Sequence, residues 1–434
     1  MTRDASEVPE AGLEAYLVGG WVRDKLLGLQ PKDRDWLVIG ATPEEMIERG
    51  FQQVGKDFPV FLHPATGEEY ALARTERKTA PGHHGFAVHA SPTVTLEEDL
   101  ARRDFTINAM AMTLEGRLID PFRGAEDLKK GILRHVSPAF VEDPLRVLRL
   151  ARFAAQFDFE VARETMELAR RITASGELEH LVPERVWQEL QRAMTTPRPR
   201  RFVEVLRHIG ALAILFPEID DLFGIPQPAR YHPEIDTGEH LLLALDQAAR
   251  ITPDPLVRFA VLLHDLGKAA TPPEMWPSHR GHEVLGVPLV DRLCKRYRVP
   301  KHYHRLARRT ARHHLLVHRA MELRPATLLR LLEDLDAFRQ PDDFERFLLA
   351  CEADARGRKG FEKRACPEIE FLRQAFAVAR NVSAADLPET LEGKAVGEAI
   401  AQLRQRRIAQ LKAISKNRDV RAGQGCSASF DHGK

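Results

Sequence analysis

The stretch Tyr16–Ile39, YLVGGWVRDKLLGLQPKDRDWLVI, decides how the rest of the chain is read. Tyr16-Leu17-Val18 is a short apolar run that predicts a strand, and it stops abruptly at Gly19-Gly20. Paired glycines allow a tight turn and let backbone N–H groups approach a ligand. Trp21 to Leu27 has helical spacing, with Val22, Leu26 and Leu27 on one side and Arg23, Asp24 and Lys25 on the other, and Gly28 ends it. A helix that starts just after such a turn points its N-terminus at whatever sits there, and a triphosphate fits that position. Asp33-Arg34-Asp35 then leads into the apolar run Trp36–Ile39. Residues two apart on a strand face the same way, so Asp33 and Asp35 are expected side by side at a strand start. Two hard oxygen ligands beside a phosphate-cradling turn are what Mg²⁺-dependent phosphoryl or nucleotidyl transfer needs.

An isolated Asp-x-Asp is usually a polar turn. The combination GGxVRDxLLG followed by DxD is more specific. It resembles the first motif of the class II tRNA nucleotidyltransferase and bacterial poly(A) polymerase superfamily, a branch of the polymerase-β-like nucleotidyltransferases. The resemblance implies that Asp33 and Asp35 hold Mg²⁺ and that Gly20 and Arg23 hold the triphosphate.

The first third alternates strand and helix. Thr42-Pro43-Glu44-Glu45 carries helix-start signals, and Phe58–Leu62 and Tyr70–Arg74 predict strands. Glu76–Ser91, with His83 and His84, lacks periodicity and reads as a loop beside the site. Arg102-Arg103-Asp104-Phe105-Thr106-Ile107-Asn108-Ala109 resembles the family's second motif, which implies ribose recognition by Arg103, Asp104 and Asn108. Asp120-Pro121-Phe122-Arg123-Gly124 with Asp127-Leu128 looks like the family's DPFxGxxDL turn. Glu142–Phe153 predicts a helix with Arg146, Arg149 and Arg152 recurring every three residues. Its start, EDPLRxLR, resembles the family's fourth motif, where an Asp and an Arg read the incoming base in place of a template. That assigns Asp143 and Arg146 to the base, and Arg149 and Arg152 to phosphates or to holding the motif. Glu184–Leu190 resembles the fifth motif, a support for that helix.

From about Tyr231 histidines concentrate. The apolar run Phe259–Leu263 leads into His264-Asp265-Leu266-Gly267-Lys268, with His240 upstream and His282 downstream. This resembles the HD phosphohydrolase superfamily, and it implies a divalent transition metal, Ni²⁺ among the candidates, held by His240, His264, Asp265 and Asp354. On this reading His264 and Asp265 are catalytic. His314 falls where relatives often carry a second His-Asp pair, but Leu315 follows it here. Arg292–Met321 holds ten Lys or Arg and no Asp or Glu, which marks a surface for an RNA backbone.

The bulk properties set limits. A net charge of +1 means that any RNA site is a local patch. Cys294, Cys351, Cys366 and Cys426 have no CxxC spacing, so they read as thiols and not as a disulfide frame or zinc site. No secretory signal is visible and no run approaches the ~20 apolar residues of a membrane span; a cytoplasmic protein is expected.

The predicted fold class is α+β, a polymerase-β-like nucleotidyltransferase head (mixed sheet with helices) followed by an all-α neck, body and HD domain. The expected divisions are a head at 1–140, a helical neck and body at 141–228, an HD domain at 229–340, and a helical tail at 341–434 with a frayed C-terminus. The motifs occur in the order found in class II CCA-adding enzymes that carry an HD domain. That order implies tRNA, CTP and ATP as partners, with no DNA and no membrane, in a monomer or homodimer. A poly(A) polymerase, a partial C-adding or A-adding relative and a non-catalytic tRNA-binding module are the alternatives.

Overall fold

The computed structural model describes residues 12–31, 33–54, 60–78, 86–388 and 390–426, without the side chains of 75–78, 86–90 and 416–426. The chain forms two compact units, Met1–Phe216 and Pro217–Lys434.

The first unit opens with a mixed sheet. Strand β1 (Glu14–Val18) pairs antiparallel with β2 (Asp35–Ile39), placing Leu17 opposite Trp36. Between them lies helix α1 (Gly20–Leu26). Helix α2 (Pro43–Glu48) follows, its N-terminus capped as expected by the Thr42 hydroxyl, which accepts from the Glu45 N–H. Strands β3 (Gln52–Val54), β4 (Val60–Leu62) and β5 (Glu69–Leu72) extend one edge. β8 (Ala111–Met112) and β9 (Leu118–Ile119) extend the other, giving the order β3-β4-β5-β2-β1-β8-β9. Within this sheet, among the described residues, only β2 and β5 run parallel, and their register puts Asp35 opposite Glu69. Between the two edges in sequence lie the antiparallel pair β6 (Arg74–Lys78) and β7 (Phe86–Ala90), and α3 (Leu96–Ala101), which Thr95 and Glu98 start with reciprocal cap bonds. Val18, Leu37, Ala73, Val94, Leu100, Ala109 and Ala111 form the buried core against the sheet.

The rest of this unit is largely helical: α4 (Gly124–Lys130), α5 (Leu145–Phe157), α6 (Arg163–Ala174), α7 (Pro183–Met194), α8 (Pro199–His208) and α9 (Ala211–Leu215). Asp120 caps α4, accepting from the Gly124 and Ala125 N–H groups at 2.7 and 2.9 Å. The helical part is not wholly α, because β11 (Glu160–Val161) pairs parallel with β10 (Ile132–Leu133).

The second unit is helical: α10 (Pro217–Asp220), α11 (Thr237–Ile251), α12 (Pro255–Leu263), α13 (His282–Arg296), α14 (Lys301–His318), α15 (Pro325–Asp334), α16 (Pro341–Arg356), α17 (Pro367–Arg380) and α18 (Lys394–Cys426). Asp236 and Asp254 cap α11 and α12. Gly267 makes the packing at its centre possible. A Cβ there would lie 2.0 Å from the His282 carbonyl oxygen, so only glycine lets α13 close onto the turn after α12.

Some expectations fail locally. Of the loop expected over 76–91, residues 76–78 and 86–90 belong to the paired strands β6 and β7, because two short strands can pair their backbones without apolar alternation; His83 and His84 lie outside the described residues, as does Phe58. Leu26 is 41% exposed, since α1 buries only Val22 against the sheet. The frayed end gives way to helix as far as Cys426, residues 427–434 lying outside the described ones.

Replacing Gly267 with Ala forces its Cβ into backbone with no room to yield. It should lower the stability of the second unit by about 1–3 kcal/mol, read as an earlier urea midpoint with an unchanged m-value.

Candidate functional sites

The first site grows out of the turn after β1. Gly19 has φ 67° and donates its N–H to the Met110 carbonyl at 3.2 Å. A Cβ on Gly19 would meet Arg103 Nη1 at 2.8 Å. The glycine therefore both makes the left-handed turn and admits an arginine to its back. Gly20 begins α1, and one turn on Arg23 donates through Nη1 to Asn108 Oδ1 at 2.6 Å. Asn108 Nδ2 donates to Asp104 Oδ1 at 3.0 Å, and Arg149 Nε donates to Asp104 Oδ2 at 2.7 Å. Arg23, Asn108, Asp104 and Arg149 thus form one continuous chain from the glycine turn to α5. Burial disfavours the Asp104 carboxylate, but Arg149 and Asn108 outweigh it and hold its pKa below the ordinary value. Asp99 is likewise buried and likewise held low, here by Arg103 and Arg102.

This chain borders a cavity of about 400 Å³ lined by Asp35, Glu69, Arg103, Asp104, Asp143, Arg146 and Arg149, together with Arg74, Arg102 and Arg185. Six residues singled out in the sequence therefore meet in one place. Asp35 also borders a second cleft, with Asp33, Arg34 and Glu69. Asp33 precedes β2 instead of sharing its first turn of pleat. Although much of Asp35 is open to solvent, partial withdrawal from water raises its carboxyl pKa; Arg103 opposes that, and Glu69 and Asp33 add to it. A divalent cation relieves this kind of crowding among three carboxylates, so the donor set fits one.

Asp143 and Arg146 are held by the fold. Asp143 Oδ1 accepts from the Leu145 N–H at 3.0 Å, and Oδ2 accepts from Arg185 of α7 at 3.3 Å. Arg146 donates to the carbonyls of Ala139 and Arg102 at 2.9 and 2.5 Å. Arg152 does not line the cavity. It donates to Glu189 of α7 at 2.5 Å and stacks on the Phe153 ring. Sequence reasoning missed Glu69, Arg74 and Arg185 as residues of this cavity. Only the β2–β5 register, a long-range pairing, places Glu69 beside Asp35.

The second site lies in the other unit. His240, His264, His282 and His314 are all at most 5% exposed. Each offers Nδ1 to a main-chain carbonyl: Gly357 at 3.0 Å, Val261 at 2.7 Å, His279 at 2.8 Å and Thr310 at 3.0 Å. A carbonyl only accepts, so Nδ1 carries the proton and the Nε2 lone pair is left for the interior. The four Nε2 atoms converge on Asp265. Its Oδ2 lies 3.7 Å from His240 and 3.2 Å from His264, and its Oδ1 lies 3.3 Å from His282 and 3.5 Å from His314. Asp354 closes the group, 3.1 Å from His240 and 2.7 Å from His318. Lys268 Nζ, at 2.6 Å, also grips Asp265. Burial works against the Asp265 carboxylate, but His264 and Lys268 outweigh it and hold its pKa well below the usual range.

His264 Nε2 and Asp265 Oδ1 are buried without a hydrogen-bond partner. Buried acceptors without a hydrogen bond, amid imidazoles and carboxylates, fit a transition-metal cation. The expected donors His240, His264, Asp265 and Asp354 are thus brought together, and His282 and His314 join them. Leu315 is 36% exposed and outside the cluster, so the missing Asp removes no donor from it. The signal for His314 was its spacing of three from Ala311 and Val317, which share its buried face.

Two sites of this kind define a metal-dependent nucleotidyltransferase head joined to an HD unit, and comparison with known proteins agrees. Residues 15–134 match the family described as Poly A polymerase head domain, 158–223 match "Probable RNA and SrmB- binding site of polymerase A", and 237–339 match HD domain. The multifunctional CCA protein of Thioalkalivibrio sulfidiphilus is 60% identical over 405 residues, 92% of this chain and 99% of that one. That of Nitrosococcus oceani is 60% identical over 401 residues, 92% and 98% of the two chains. The chain belongs to the multifunctional CCA protein family. Among solved structures, the Bacillus stearothermophilus CCA-adding enzyme in complex with CTP superposes with a TM-score of 0.61 at 22% identity, over 96% of both chains. The Thermotoga maritima enzyme complexed with tRNA gives 0.59 at 20%, over 93% and 92%. At these identities the likeness is one of fold.

Because the Asp99 and Asp104 pKa values are depressed in the folded state, their stabilisation is complete above the ordinary value of 3.8 and is lost as pH falls through the folded values. Denaturation midpoints should be flat from neutral pH down to about pH 5 and fall steeply below about pH 4. Asp104→Asn should cost about 2–3 kcal/mol at pH 7, less than for a fully buried pair because Arg149 is partly exposed, and should flatten part of that acid slope.

Proposed function

We propose that the chain adds the 3′-terminal CCA of tRNA from CTP and ATP without a nucleic-acid template, and that its HD unit is a metal-dependent phosphohydrolase. The observation that carries the first reading is the single cavity in which Asp35, Arg103, Asp104, Asp143, Arg146 and Arg149 meet. The names of the multifunctional CCA relatives support it. Asp33 and Asp35, with Glu69, are the residues to hold Mg²⁺, which supplies Lewis-acid activation of the tRNA 3′-hydroxyl and neutralises phosphate charge. The α1 N-terminus at Gly20 with Arg23 receives the triphosphate. Arg103, braced on Asp99, faces it from behind the glycine turn. Asp143 accepts from an exocyclic amino group and Arg146 donates to ring nitrogen or carbonyl oxygen, the pairing that distinguishes C and A from other bases. Asp104, Asn108 and Arg149 keep this wall in register with the phosphate turn, and Arg152 braces α5 through Glu189. The corresponding division of labour is head to 140, neck and body to 228, HD domain to 340, and tail beyond; Asp354 reaches the metal cluster from α16.

For the HD unit, His240, His264, Asp265 and Asp354 are the donors for one transition-metal cation such as Ni²⁺, and Asp265 with His282 and His314 forms a second donor set. The cation supplies an activated water. The substrates in view are 2′,3′-cyclic phosphates, 2′-nucleotides and other phosphate monoesters at tRNA ends. Lys268 holds Asp265 in place and adds positive charge near an incoming phosphate.

The test is incorporation of labelled CTP and ATP, separately and together, into tRNA lacking its 3′ end. Two C followed by one A is the expected product; ATP tailing without CTP use would assign the head to poly(A) synthesis. Asp33→Ala with Asp35→Ala should reduce incorporation by about 10³-fold or more while sparing tRNA binding. Chelation followed by Mg²⁺ alone should restore incorporation. Hydrolysis of 2′,3′-cyclic AMP should return only with a transition metal and should be absent in Asp354→Ala; metal-independent hydrolysis would sink the HD assignment.

A further inference from the structure

The run Arg292–Met321 has no acidic residue of its own. Helix α14 places Lys301, Arg305, Arg308, Arg309 and Arg312 along one flank, where they line a groove of about 730 Å³ whose other wall is Val284, Val287 and Pro288 of α13. Neighbouring helices supply braces. Asp291 lies 2.6 Å from His304 and 3.3 Å from Arg308. Asp343 lies 2.6 Å from Arg305, and Asp336 lies 3.7 Å from Arg309. Each carboxylate fixes one edge of a cation, and the groove is lined by the five cations with His304, His313 and a single carboxylate, Asp334. Lys301 and Arg312 have no carboxylate partner among the described residues.

Two groups here are unfinished. Arg309 Nη1 and His313 Nδ1 are buried and lack a hydrogen-bond partner, and the Arg309 side chain is only 17% exposed. Arg309 is turned toward Asp336 and Asp343, so the cations open to a ligand are the exposed Lys301, Arg308 and Arg312. The cations run along about 16 Å of helix, too far for one phosphate and suited to a row of them. With a net charge of +1 for the whole chain, attraction for a polyanion must come from such a local array.

We propose that this α13–α14 groove grips the sugar–phosphate backbone of the tRNA substrate, away from the end being extended. The inference rests on the proposed tRNA activity. Arg308, 58% exposed, and Arg312, also exposed, can be changed without opening the core.

The experiment measures affinity of the full chain for tRNA lacking its 3′ end, across a salt series, for wild type, Arg308→Glu/Arg312→Glu and the milder Arg308→Gln/Arg312→Gln. Circular dichroism checks folding. The reversal should weaken binding about tenfold or more and shrink the log–log salt slope by about 0.7–0.9 for each phosphate no longer neutralised. The glutamine pair should move both in the same direction. In nucleotide incorporation, KM for tRNA should rise with kcat unchanged. Wild-type affinity and slope in both folded variants would overturn the groove assignment alone, and would stand equally against it if the true occupant were a protein or a small anion. A wild-type chain that neither binds nor extends tRNA would overturn the tRNA activity and this inference together.

Discussion

The first unit depends on one buried carboxylate. Asp104 accepts from Asn108 on one oxygen and from Arg149 on the other, and Asn108 in turn accepts from Arg23. Three segments far apart in sequence, the helix after the glycine turn, the turn at Thr106–Asn108 and the helix α5, are tied through that group. An ionised carboxylate at 6% exposure is costly on its own. It persists because two donors meet it with good geometry, and those donors are themselves fixed by it. The glycine turn and α5 are consequently held together by one continuous hydrogen-bond chain.

The second unit solves a different problem by similar means. Four imidazoles are aimed inward because each spends its Nδ1 proton on a backbone carbonyl. The backbone, which does not titrate, thereby sets the tautomer of every ring. A carbonyl oxygen has two lone pairs, so those of Val261 and His279 accept from a ring while also accepting a backbone N–H. The main chain thus both positions the four rings and orients them.

Local chemistry was legible in the sequence and long-range pairing was not. Gly19-Gly20, Asp35 and His264-Asp265 carry their meaning within a few residues, so motif and structure agree on where they sit. Thr42 announced its cap for the same reason. Glu69 could not be found, because nothing in its own neighbourhood says that β5 runs parallel to β2. Arg152 looked like a companion of Arg149 by spacing, yet its partner Glu189 lies on another helix and draws it out of the cavity. The basic run in α14 suggested an open cationic face; its braces, Asp336 and Asp343, come from outside the run. The hairpin flanking residues 79–85 was missed because two-stranded pairing needs little apolar patterning.

The bonds of Arg146 have a consequence for how such a pocket can change over time. Its guanidinium supports the carbonyls of Ala139 and Arg102 while it faces the cavity. A substitution there alters the shape of the wall along with the chemistry it presents. Any single substitution at this position would lose those two bonds before it gained a new contact in the cavity. The chemistry facing the cavity and the scaffold behind it are therefore carried by one side chain and cannot be altered separately.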